Sequence, residues 1–373
     1  MAVQQGKPDV LVVGGGPIGL AGAWRAAQRG LRVVVLEASP PAPPGAWHVA
    51  AGMLAPVAEL KHGETALLEL GVRAAAGYPA FCAELAAVTG IDPGLRSQGT
   101  LVVARDRDDA EALERLAALH ARHGLRAERL LPTAARRAEP ALAPTVRLAL
   151  DLRDDHSVDP RRLVAALRAA VRAAGGEVRA HAVVTRVRAR AVELEDGTAL
   201  EAGTVVLAAG AAAGDLAPAG LALPVRPVKG QVLRLRDPAG PGLVDRTVRT
   251  QDAYLVPRAD GRYVLGATME ERGWDRTPTA GGVFELLRDV SEVVPGVLEL
   301  ELEEVLAGLR PATPDNLPAV GFADGVLVAA GHHRSGILLA GLTGDLVAGL
   351  LCGEPLPAWA APAAVDRFAA VPA

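Results

Sequence analysis

Cysteine is nearly missing from this 373-residue chain: Cys82 and Cys352 are too few for a disulfide framework and too far apart for a metal clip. A reducing, cytoplasmic setting is therefore the expectation. Lysine is almost as rare, occurring only at Lys7, Lys61 and Lys229, so arginine supplies nearly all the positive charge and its abundance alone points to no function. A formal net charge of −4 excludes a polyanion-coating protein, and no nucleic-acid partner is expected. No basic leader with an apolar run and a cleavage site opens the sequence, so no signal peptide is expected. The most membrane-like segment, "GILLAGLTGDLVAGLLCG", is interrupted by Asp345 and by glycines, so a buried helix is expected there and no membrane span. Solenoid-type repeats are also lacking.

What remains is a large hydrophobic globular chain whose length points to two domains. The stretch "PDVLVVGGGPIGLAGAWRAAQRGLRVVVLEAS" reads as strand, glycine turn, helix and second strand. Gly14, Gly16 and Gly19 form G-x-G-x-x-G, which allows a tight turn, backbone approach to a pyrophosphate, and close helix–strand packing. The helix N-terminus would face the phosphates. Glu37 follows Gly19 by 18 positions, where a carboxylate can accept from ribose hydroxyls. This unit leaves FAD and NAD undistinguished.

Two later segments favour FAD. "TVVLAAGAAAG" is a buried strand running into a glycine turn, preceded by a β-meander with an Asp-Gly hairpin in "VELEDGTALEAG". "GVLVAAGHHRSGILLAGLTGDLVAGLL" repeats strand, turn and helix, and a helix beginning near Arg334 would offer N–H groups and a positive dipole to a flavin pyrimidine. Between these segments, "QVLRLR", "AYLVPR" and "YVLGATM" alternate as short antiparallel strands do. "PPAPPGA" is a proline-rich loop inside the nucleotide unit and no linker. The expected fold class is α/β: a doubly wound FAD-binding Rossmann-type domain (1–85, 145–225 and 305–373) with an inserted mixed, largely antiparallel β-sheet substrate domain (86–144 and 226–304).

The segments "VAAGMLAPVAE", "RDDHSVDPRRLV", "LPVRPVKGQVLRL", "AYLVPRADGRYVLGATMEERGWDRTP", "AGLRPATPDNLPAVG" and "AAGHHRSGILLAGLTG" run nearly end to end. Through them the chain resembles the D-amino-acid-oxidase superfamily of flavoproteins, and within it the glycine oxidases of thiamine biosynthesis. That resemblance implies noncovalent FAD and oxidation of a small amino acid at the flavin face. It places the substrate carboxylate on Arg310, a role suited to a planar bidentate fork; the residue type alone would favour Arg310 pairing with an acid such as Asp315 or capping a helix, and the resemblance reverses that preference. It further implies that Tyr254 adds a hydroxyl to the carboxylate site, that Met269 lines the pocket with Ala51 and Met53, and that Arg334 lies between substrate and flavin.

The implied cofactor set is Gly14, Gly16, Pro17, Ile18, Gly19, Glu37, Ala38, Ala46, Trp47, Ala51, Gly52, Met53, Val184 beside the adenine, and the turn His332, His333, Arg334, Ser335, Gly336, Ile337 and Leu338. No metal is expected, because the adjacent His332 and His333 diverge and lack a third ligand. Two departures stand out: Asp252 precedes Tyr254 by two positions where histidine can occur, and Ala312 and Thr313 occupy the neighbourhood in which related sarcosine oxidases attach flavin through cysteine.

The implied reaction is oxidative deamination of glycine, with sarcosine or small D-amino acids, to the imine and glyoxylate, oxygen being reduced to hydrogen peroxide. No protein base is required. Hand-over to thiazole synthesis and a homo-oligomer are further expectations. The alternatives are a D-amino-acid dehydrogenase or sarcosine-type secondary-amine oxidase, and a flavin-containing binding or assembly protein.

Overall fold

The computed structural model describes residues 7–40, 44–218 and 220–368. A six-stranded sheet runs in the order Ala319–Ala323, Val326–Ala330, Thr204–Leu207, Val10–Val13, Val33–Leu36, Glu177–Arg179. Its strands are parallel except for the antiparallel pair 319–323 and 326–330. Val10, Val12, Val33 and Val35 pack to one face, and Leu11, Val13, Val34 and Leu36 to the other. Strands apolar at every position require cover on both sides.

Helices Pro17–Gln28, Thr65–Thr89, Pro160–Ala173 and Ala340–Leu351 cover the first face. On the second face lies the meander Val184–Arg188, Ala191–Leu194, Ala199–Glu201, turning at Asp196–Gly197 as the hairpin signal indicated.

The eight-stranded sheet has the order Glu301–Ala312, Arg226–Arg236, Arg262–Gly266, Tyr254–Pro257, Thr247–Arg249, Thr100–Ala104, Leu148–Leu152, Glu128–Leu130. All its pairings are antiparallel except that between 247–249 and 100–104. Its core is closed by helix Ala280–Ser291 through Leu286 and Val290.

Three expected boundaries shift. A division at 85 falls inside helix Thr65–Thr89, which continues to a left-handed Gly90. The division at 145 would detach Leu148–Leu152, and that at 305 would cut strand Glu301–Ala312, although both belong to the eight-stranded sheet. The latter strand pairs with Arg226–Arg236 from end to end, with one register shift between Arg234 and Leu235, so a single ladder carries it to the cavity. The last helix begins at Ala340 instead of near Arg334. His333 has φ +45°, outside the right-handed helical region, and residues 333–335 form a single 3-10 turn. Among the described residues, no helix is long and apolar enough to cross a membrane.

Candidate active site

A cavity of about 1000 Å³ is lined from both sheets. At one end are Gly14, Gly16, Pro17, Ile18, Glu37, Ala38 and Val184. Gly14 has φ +112°, and a Cβ there would lie 2.3 Å from the Ala208 carbonyl oxygen. Gly19 does not line the cavity; a Cβ on it would lie 2.0 Å from the Gly14 carbonyl oxygen, so its role is the close packing of helix on turn. Helix Pro17–Gln28 has no side-chain cap at Gly16, which leaves its first N–H groups available at the cavity wall. Glu37 organises the same turn: Gly15 N donates to Oε2 at 2.9 Å and Ser39 N to Oε1 at 2.8 Å. Each oxygen keeps a second lone pair.

Ala46, Trp47, Ala51, Gly52 and Met53 form the middle of the wall. Gly52 has φ +78°, and a Cβ on it would meet Val158 O at 2.0 Å. Three arginines that sequence reasoning missed hold this loop by its carbonyls. Arg161 Nε and Arg234 Nη2 donate to His48 O at 3.0 and 2.9 Å, and Arg258 Nη2 donates to Ala51 O at 2.5 Å. They come from a helix, a strand and the residue following another strand, far apart in sequence, and Glu304 accepts two bonds from Arg161. Burial pushes Arg258 down to about 10.

The far end contains Arg310, Tyr254 and Met269. Arg310 Nη1 donates to Thr268 O at 3.1 Å and Lys229 O at 3.3 Å; among the described residues it takes part in no ion pair, and Asp315 binds Arg367 at 2.8 Å instead. Gly230 makes room for it, since a Cβ there would lie 2.2 Å from Arg310 Nη1. Burial raises the Tyr254 phenol above its ordinary value, with nearby Arg310 opposing. Met269 lies on the rim and is 59% exposed. Asp252 lines the cavity but is bonded to Arg105 at 2.9 Å.

The turn after the last parallel strand divides between two sites. His333, Arg334, Gly336 and Ile337 line the main cavity, whereas Ser335 and Leu338 face a small adjoining recess with Pro56 and Glu64. Arg334 is no free substrate ligand: Nη2 bonds Glu64 and Nε lies 3.6 Å from Glu59, while Nη1 is buried without a partner. His332 also reaches the cavity wall, but its Nε2 is 3.0 Å from Thr343 Oγ1, and burial pushes it down to about 3. Burial, then Arg334, Arg310, Lys61 and Arg226, push His333 down to about 3 as well, and neither ring nitrogen has a partner. No group of three or more metal-binding side chains occurs among the described residues.

These residues suit FAD. An uncapped helix start can meet the pyrophosphate, Glu37 retains acceptor capacity for the adenosine end, and the orphaned His333 nitrogens and Arg334 Nη1 want polar partners at the other. The model for FAD dependent oxidoreductases matches residues 9–350. The chain belongs to the FAD dependent oxidoreductase family. FAD is its cofactor. This FAD dependent oxidoreductase is 34% identical over 356 residues to a glycine oxidase of Bacillus licheniformis, a match covering 93% of this chain and 94% of that one. It is also 34% identical to the bifunctional protein ThiO/ThiG of Synechocystis sp., over 94% of this chain and 52% of that protein. The crystal structure of glycine oxidase from Geobacillus kaustophilus superposes with a TM-score of 0.90 at 35% identity, covering 97% of this chain and 99% of that one.

Proposed function

We propose that this FAD-dependent oxidoreductase oxidises glycine, and with it sarcosine or small D-amino acids, to the imine, with oxygen as electron acceptor. The observation that carries the reading is Arg310: a guanidinium in the cavity wall, aimed by two carbonyls and lacking a carboxylate of its own. A substrate carboxylate completes its hydrogen bonding, and Tyr254 supplies a hydroxyl beside it. Bound FAD, held noncovalently, supplies the acceptor for the two electrons and the hydrogen leaving Cα. The chain's own residues then position and desolvate the substrate. The substrate amine reacts in its neutral form, its ammonium proton having passed to solvent, so that the nitrogen lone pair can drive the hydrogen from Cα; neutral His333 adds no positive charge beside it. Water converts the released imine to glyoxylate and ammonia, and oxygen becomes hydrogen peroxide.

Glycine oxidases among the relatives support the substrate class, and the name of the bifunctional ThiO/ThiG relative supports hand-over of the imine to thiazole synthesis. Free Cys82 and Cys352 accord with a reducing cytoplasm. Residues 9–90, 158–225 and 313–368 would form the FAD-binding part, and the eight-stranded sheet with its helices the substrate part.

Anaerobic mixing of the holoenzyme with glycine, sarcosine, D-alanine, L-alanine and D-phenylalanine tests the reading. Bleaching of the flavin by glycine and reoxidation by oxygen with peroxide release are expected. Bleaching without oxygen uptake would instead favour a dehydrogenase, and a flavin that stays oxidised with the whole panel would favour a binding or assembly protein.

A further inference from the structure

Of the three lysines, one is buried: Lys229, 1% exposed, in strand Arg226–Arg236. A buried ammonium is costly unless its protons are all engaged. Its partners come from a single segment. Nζ donates to Asp275 Oδ2 at 2.7 Å and Thr277 O at 2.6 Å, with Glu270 Oε2 at 3.8 Å. Backbone bonds join Lys229 and Glu270 in both directions, at 2.9 and 3.0 Å, and Gln231 Oε1 accepts from Thr279 N at 2.8 Å.

Loop 267–279 contributes Met269, Arg272, Trp274 and Arg276 to the cavity wall. Two of these are apolar and largely exposed, Met269 at 59% and Trp274 at 51%, so little packing holds the loop from outside. Arg276 reaches across to the nucleotide side, donating to Pro44 O at 3.3 Å. Lifting the loop would strip Lys229 of Asp275 and Thr277 together and leave its charge bare. The same loop carries Thr268, whose carbonyl, with that of Lys229, aims Arg310.

We propose that Lys229 is a positioning residue for substrate binding: its ammonium latches loop 267–279 across the cavity, and its carbonyl, with that of Thr268 on the latched loop, sets the direction of Arg310. The inference rests on Arg310 being the carboxylate anchor. Asp275 is held at about 2, first by Lys229, so its carboxylate stays ionised at neutral pH. A pair that only stabilised the fold would cost thermal stability and leave substrate affinity alone.

The test uses holoenzyme carrying Asp275→Asn, which touches the exposed end of the latch, with Lys229→Met as the more severe variant. Glu271→Gln serves as control, since it breaks a neighbouring exposed pair, Arg226–Glu271 at 3.0 Å, on the same loop. Three readouts apply: amide exchange of 268–279, calorimetric binding of acetate as a carboxylate probe, and the split between KM and kcat for glycine. Asp275→Asn is expected to speed exchange in the loop, to weaken acetate and raise KM by roughly three- to thirtyfold, and to move kcat less than about twofold. FAD content should hold, Asp275→Glu should restore part of the loss, and Glu271→Gln should resemble wild type. Unchanged exchange and acetate affinity in Asp275→Asn would overturn the proposal, as would an equal effect of Glu271→Gln. If glycine proves not to be a substrate, the exchange and acetate arms still decide the latch, so failure of the functional reading and failure of the latch remain distinct.

Discussion

The two ends of the cavity are built by different means. At the nucleotide end the recognising groups are mostly backbone: the glycine turn, the uncapped helix start and a carboxylate that fastens that turn, all within residues 10–39. At the substrate end they are side chains brought together from separate strands, with Tyr254 and Arg310 converging over Gly230 and Gly266. A backbone cradle is local and tolerates no added atom. A side-chain site is dispersed, and can lose its chemistry without losing its fold. Substitutions at the two ends should therefore fail differently.

The largest effect belongs to Arg310→Ala. It should keep FAD and thermal stability while kcat/KM for glycine falls roughly 10²–10³-fold, since stripping a charge of its buried partner costs about 3–5 kcal/mol. Steady-state kinetics beside flavin content checks this; comparable loss in flavin content would erase the contrast between the ends. Gly14→Ala should do the reverse. The new Cβ meets Ala208 O at 2.3 Å with φ at +112°, so the turn must move. A destabilisation of about 2 kcal/mol or more and poor FAD retention are expected, read by thermal melts of apo and holo protein.

Glu37→Gln sharpens the comparison, because it keeps the shape and removes the charge. The amide can retain only one of the two backbone N–H bonds, and FAD affinity should weaken by about tenfold, with KM for glycine unchanged. Fluorescence titration of the apoprotein with FAD tests it.

The smallest effect concerns pH. His332 and His333 are both held down to about 3 against 6.5 when unfolded. Between those values the unfolded chain binds more protons, so the stability that depends on neutral rings is complete above about pH 6.5 and drains away as pH falls towards 3. His332→Gln should flatten part of that slope in melts at pH 4–7. Neither histidine should produce an inflection in kcat/KM between pH 6 and 8.

Legibility followed the same division. Gly14, Gly16 and Glu37 could be read from spacing because their partners lie within one βαβ unit. Arg310 and Tyr254 came from resemblance, and geometry then showed which charges are spoken for: Arg310 meets two carbonyls and the Tyr254 phenol but, among the described residues, no carboxylate, whereas Arg334 is taken by Glu59 and Glu64. Arg161, Arg234 and Arg258 carried no signal at all, since one arginine among many looks alike until a carbonyl such as His48 O lies beside it. Ser335 and Leu338 also came from resemblance, as part of a flavin-contacting turn, and only the folded turn shows that they face the adjoining recess.

By itself the sequence determined the parallel strands, the glycine turn and the acid at the second strand's end, because apolar period, φ > 0 and helix packing are demands met within a few residues. The tertiary structure alone decided which guanidiniums are free, which loop Lys229 holds, and where strand 301–312 belongs. Ion pairing and sheet register depend on distances between residues up to hundreds of positions apart, and only the closed fold sets those distances.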